Sequence, residues 1–133
     1  MERRRFALGL AIGGVFVLAA QAAAADARFE KSLQMLAPTE RLEQLCDYTA
    51  MTQIRKDAGN YRPDRAISNA IAEAKVNQDT IEANGGAFRS RGKWYTMTYV
   101  CAATPDHLKV TSFSYKIGEV IPDTKWAGYG LWQ

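Results

Sequence analysis

The segment Thr104-Pro105-Asp106-His107-Leu108 sets the chain's single histidine beside a carboxylate. That pairing could serve general acid–base chemistry if a third group, such as Tyr48 or Ser112, oriented it. Neighbouring residues in a turn point apart, however, and Pro105-Asp106 is ordinary turn chemistry, so His107 is expected simply to open a strand. Glu40, Glu43 and Asp47 recur at helical spacing and could converge as the carboxylate pairs of glycan cleavage do. The same spacing describes a solvated helix face, the more ordinary expectation with Arg41 and Arg55 nearby. A small periplasmic hydrolase using His107 or the Glu40/Glu43/Asp47 face is therefore the alternative function, and no complete catalytic constellation is visible. One histidine and loosely spaced carboxylates also leave metal sites short of ligands, and no paired-cysteine-plus-histidine run marks haem attachment. Neither a metal nor a cofactor is expected.

The stronger binding candidate is Arg89-Ser90-Arg91-Gly92-Lys93-Trp94. Arg89, Arg91 and Lys93 beside Trp94 at a hairpin tip offer planar bidentate donors and an aromatic platform to an anionic polymer, a phosphate headgroup or an acidic protein. The competing role for such charges is to guard a strand edge against pairing with other chains. A second aromatic group, Trp126, Tyr129, Leu131 and Trp132, either closes the core or forms a contact patch, and core closure is the expectation.

Cys46 and Cys101 are the two cysteines of the chain. An even count in a small exported domain reads as one disulfide, closing a loop for which chain entropy contributes on the order of 4 kcal/mol.

These residues need elements to hold them. Phe29, Leu33 and Leu36 fall on one side of a short helix over Ala27–Leu36. After Ala37-Pro38-Thr39, a second helix runs to about Lys56, with Pro38 in its first turn, Glu40 at the positive end of its dipole, and Leu42, Leu45, Cys46, Ala50 and Ile54 as one apolar stripe. A loop over Ala58–Pro63 leads to a third helix capped by Asp64, with Ala66, Ile67, Ala70, Ile71 and Ala74 as a narrow face. From Lys75 the period becomes two. Strands are expected at Val76–Ala83, Ala87–Arg91, Lys93–Ala102 and Leu108–Ile117, with Asn84-Gly85-Gly86 as a hairpin turn, Gly92 as the next break and Thr104-Pro105-Asp106 as the last. Alternation puts Tyr95, Met97, Tyr99 and Cys101 on one face, and the disulfide requires that face to meet the second helix, joined by Phe113, Tyr115 and Ile117 if register allows. The fold class is thus α+β: N-terminal helices on a C-terminal four-stranded antiparallel meander, with one helix-to-strand disulfide.

Ahead of this domain, Arg3, Arg4 and Arg5 precede an apolar stretch, Phe6 to Ala20, and a small-residue run to Ala25, the three-part order of a secretory signal. Residues 1–25 are expected to be cleaved, leaving 26–133 as one domain in the periplasm. An uncleaved anchor is the competing reading, and it would be the chain's only link to a membrane. Arg3-Arg4-Arg5-Phe6 also loosely matches a twin-arginine signal. Without the leader, 14 bases face 13 acids. The basic character of the whole chain therefore belongs largely to its leader and is no nucleic-acid footprint.

Arg41-Leu42-Glu43-Gln44-Leu45-Cys46, Gly86-Ala87-Phe88-Arg89, Trp94-Tyr95, Tyr99-Val100-Cys101, Pro105-Asp106-His107, Ile117-Gly118, Ile121-Pro122, Trp126 and Leu131-Trp132 follow one another in an order that resembles the bacterial family catalogued as domain of unknown function 930. The resemblance spans Phe29 to Trp132. It implies an exported protein of gram-negative type and brings no reaction, substrate or catalytic residue. The expected function is that of an exported, non-catalytic envelope protein binding a protein partner or an anionic surface polymer, an enzyme inhibitor being one form of it.

Overall fold

A computed structural model describes residues 27–133. The expected leader, Met1–Ala25, lies outside the described residues. The chain divides into two units, Met1–Ser32 and Leu33–Gln133. Residues 27–32 of the first are helical and open α1 (27–34).

In the second unit α2 spans Pro38–Asp57, with proline in its first turn, Glu40 at its start and Arg55 and Lys56 at its end, each charge matched to the helix dipole. Its buried residues are Leu42, Leu45, Cys46, Ala50 and Ile54, the stripe the helical spacing predicts. The strands are β1 (Pro63–Ile67), β2 (Lys75–Asn77), β3 (Thr80–Ser90), β4 (Lys93–Ala103) and β5 (Val110–Val120). They form one antiparallel sheet in the order β1-β3-β4-β5, with β2 also paired to β3. Five strands stand where four were expected.

The additional strand is β1, which replaces the expected third helix. Arg65, Ala66 and Ile67 pair with Arg89, Phe88 and Ala87, so the second half of β3 finds the edge partner its backbone requires. Asp64 does not cap a helix; its carboxylate receives Arg89. Residues 68–74 are turns and bends rather than helix.

Asn84-Gly85-Gly86 is likewise no hairpin turn. It lies inside β3, where the register with β4 shifts between Ala83 and Gly86. The glycine requirement comes from close approach, since a Cβ on Gly85 would collide with the backbone of Ala72, while Ile71 N–H donates to the Gly85 carbonyl at 2.7 Å. The β3–β4 reversal is at Arg91-Gly92, both at positive φ (51° and 76°), the backbone a two-residue hairpin demands. At the other reversal, His107 also takes positive φ, 58°, within a loop, and β5 begins only at Val110.

On the sheet face toward α2 lie Met97, Tyr99 and Cys101, each paired in register with Ile117, Tyr115 and Phe113 of β5. The Cys46–Cys101 disulfide joins α2 to β4 across 6.0 Å between Cα atoms. On the opposite face Trp94, Ala87, Ile121 and Leu131 form a second buried cluster, with Ile67, Ala70, Trp126 and Tyr129 packed against it. The C-terminal segment, carrying short 3-10 turns at Asp123–Lys125 and Ala127–Tyr129, therefore closes a core, as expected. No helix among the described residues is long and apolar enough to cross a membrane.

Candidate functional site

The four residues singled out at the β3–β4 hairpin separate into two pairs. Trp94 is fully buried, and its indole Nε1–H donates to the Trp132 carbonyl at 2.7 Å, so it belongs to the core and offers no open platform. Arg89 is held by Asp64 through Nε to Oδ1 at 2.9 Å and Nη2 to Oδ2 at 2.8 Å, a bidentate pair. Its guanidinium also lies 5.9 Å from the Trp94 ring centroid and 6.0 Å from that of Trp132. The bond to Arg89 holds the Asp64 carboxyl below its usual range, and Asp64 in turn raises the guanidinium. Arg91 and Lys93 are exposed. The bare turn thus presents two cations.

β1 brings more charge to the same end of the sheet. Pro63 is the register partner of Ser90, Arg62 N–H donates to Ser90 Oγ at 2.7 Å, and Arg65 sits opposite Arg89. Like charges directly across a strand pair repel, and Asp64 relieves that repulsion by taking Arg89. Arg62 and Arg65 are both exposed, their guanidiniums bonded to nearby carbonyls of Gly59, Tyr61 and Asp64. Beneath them, Tyr61 stands edge-on to Phe88 and Tyr95 at 5.4 and 5.1 Å, which fixes the loop that carries Arg62. Arg62, Arg65, Arg91 and Lys93 therefore form one basic end. Arg62 and Arg65 escape a reading of the sequence because their neighbour is β3, 25 residues or so further on; the alternation Arg65–Ile67 was the signal available.

His107 is buried in the loop between β4 and β5. Nδ1 lies 2.7 Å from the Pro38 carbonyl and Nε2 2.8 Å from Asp79 Oδ1. Both ring nitrogens thus tie this loop to the start of α2 and to the β2–β3 turn. Arg41 adds to the tie, donating to the carbonyls of Leu33, Leu36 and Asp106. Asp106 bonds to Thr104 and to the Leu108 N–H, not to His107. His107 is no strand opener, and its role is that of a rivet.

On α2, Glu40 is exposed, whereas Asp47 turns toward the sheet and accepts from the Tyr99 hydroxyl at 2.8 Å. Burial raises the Asp47 carboxyl from 3.8 to about 7, opposed by the Tyr99 bond and reinforced by the charge of Glu43. Burial, chiefly, also pushes the Tyr99 phenol up, so it remains a donor. Asp47 was expected on the solvated face; its position one residue after Cys46 places it at the margin of the buried stripe. Among the described residues no cluster of three or more histidine, cysteine or acidic groups could hold a metal.

A helix clasped by a disulfide to an antiparallel sheet, with a basic end and a second core beneath a C-terminal cover, defines a compact α+β class of domain. A family model, Domain of Unknown Function (DUF930), matches residues 33–131, and the chain belongs to that family. No curated protein matches the chain. No solved structure matches it either.

Proposed function

We propose that the protein is exported and acts in the periplasm as a binding module for an anionic partner, an acidic protein, a charged surface polymer or lipid phosphate headgroups, which it engages through its basic end. The observation that carries this reading is the pairing of β1 with β3, which sets Arg62 and Arg65 beside Arg91 and Lys93 while Asp64 is already occupied by Arg89. Four exposed cations against so little acid favour long-range attraction to negative charge and orientation on approach. The leader pattern of residues 1–25 and the disulfide support residence outside the cytoplasm, where thiols stay oxidised.

Two measurements test the reading. Mass spectrometry of the chain in osmotic-shock fluid should find it starting at Asp26 and gaining two protons on reduction; retention of the leader in a cytosolic form would reject export. With the oxidised protein as bait in envelope extract, Arg91→Glu with Lys93→Glu should lose the captured partner while melting at the wild-type temperature. Arg89 is left intact in that variant because reversing it would break the Asp64 pair. Undiminished capture would reject the basic end as the contact.

A further inference from the structure

We infer that the anionic partner is a lipid bilayer surface, on which the basic end docks with Trp132 at the headgroup level and Arg62, Arg65, Arg91 and Lys93 against lipid phosphates. The inference rests on the reading of the basic end just given and names the chemistry it would recognise. A site for one discrete anion gathers its donors on a point. Here Arg62 lies in the loop just before β1, Arg65 in β1, Arg91 in the turn after β3 and Lys93 at the start of β4. Three neighbouring strands at about 4.8 Å spacing spread these charges over roughly 10 Å, a footprint suited to a surface rather than a pocket.

The same end also exposes apolar groups. Trp132 is 46% exposed although it meets Trp94 edge-on at 5.5 Å, and Val120, the register partner of Tyr95 at the end of β5, is 51% exposed. The cation beside the Trp132 ring is Arg89, at 6.0 Å, and the four exposed cations share its end of the sheet. A half-exposed indole together with cations is the composition of a bilayer-interface anchor, in which the ring settles among headgroups and each cation near an anionic leaflet adds attraction. Asp64 is paired with Arg89, and Glu119 beside Val120 and Asp123 after Ile121 are exposed acids near this end that oppose docking. The sequence offered two routes to a membrane, an uncleaved leader and a phosphate headgroup at the hairpin; the docking proposed here is of the second kind and is independent of the leader.

The test uses tryptophan emission of the full chain mixed with vesicles of brominated phosphatidylcholine, with or without about a third of phosphatidylglycerol, a fraction typical of anionic leaflets. All three tryptophans lie at 94, 126 and 132, so quenching reads the domain whatever the leader does. Quenching should occur on the anionic vesicles, fall at least tenfold in apparent affinity for Arg91→Glu with Lys93→Glu, and vanish in Trp132→Phe, a variant that keeps an aromatic ring on Trp94. Quenching that persists in Trp132→Phe, or that is equal on neutral vesicles, would overturn the inference. Retention on dextran sulfate that the double variant abolishes, without quenching on vesicles, overturns lipid docking and leaves anion binding standing. Loss of both overturns both.

Discussion

Asp47 and Tyr99 show how one partly buried bond couples this fold to pH. The Asp47 carboxyl titrates near 7 in the folded chain and at 3.8 in the reference, so the folded state holds the proton more tightly. The stability this contributes is complete below about 3.8 and is lost as pH rises through about 7. Chemical unfolding should therefore show the protein most resistant on the acidic side of that window. Asp47→Asn, which can still accept from Tyr99, should flatten the profile, and an unchanged slope would remove Asp47 as its source. Trp94 gives a second prediction at this scale. Truncation to alanine deletes a fully buried indole and its bond to Trp132, and should cost about 3–5 kcal/mol in denaturant unfolding. At residue scale the sequence was partly legible. Cysteine pairing and the apolar type of Trp94 were visible, but the choice between platform and core was not, because it depends on Leu131 and Trp132 folding back over the sheet.

Among the elements, α2 and β4 were the most readable, since each carries its own period: Leu42 to Ile54 at helical spacing, Met97, Tyr99 and Cys101 at alternate positions. β1 was not. Asp64-Arg65-Ala66-Ile67 followed by Ala70, Ile71 and Ala74 also fits a small-residue helix face, and strand propensity is decided by the partner. That partner, residues 87–90, lies beyond a local window. Gly85-Gly86 misled for a related reason, because glycine serves both turns and close crossings, and Ala72 supplies the crossing. Gly85→Val should push 68–74 off β3 and lower stability by about 1–3 kcal/mol, the usual cost of forced overpacking. The clasp between α2 and β4 is predicted to matter more. Cys46→Ala with Cys101→Ala frees a 55-residue separation and should lower unfolding stability by on the order of 4 kcal/mol. A loss near zero would mean that the helix seats on the sheet without its covalent link.

For residues 26–133 taken together, a nearly balanced charge of 14 bases and 13 acids conceals an uneven surface. Counting bases and acids beyond the leader gives near neutrality, whereas β1 folding beside the β3–β4 turn puts Arg62, Arg65, Arg91 and Lys93 at one end. The sequence pointed to that hairpin through Arg91 and Lys93, while the residues that complete the patch became adjacent only through the tertiary pairing. Charge gathered this way, rather than His107 or the acidic helix face, is the basis for reading the protein as a binder. The most direct measurement of that claim is capture of the envelope partner by wild type and by Arg91→Glu with Lys93→Glu across a salt series. The account predicts wild-type capture that weakens steadily as ionic strength rises, and a double variant that captures nothing at any salt while remaining folded. Equal capture by both proteins, insensitive to salt, would contradict it.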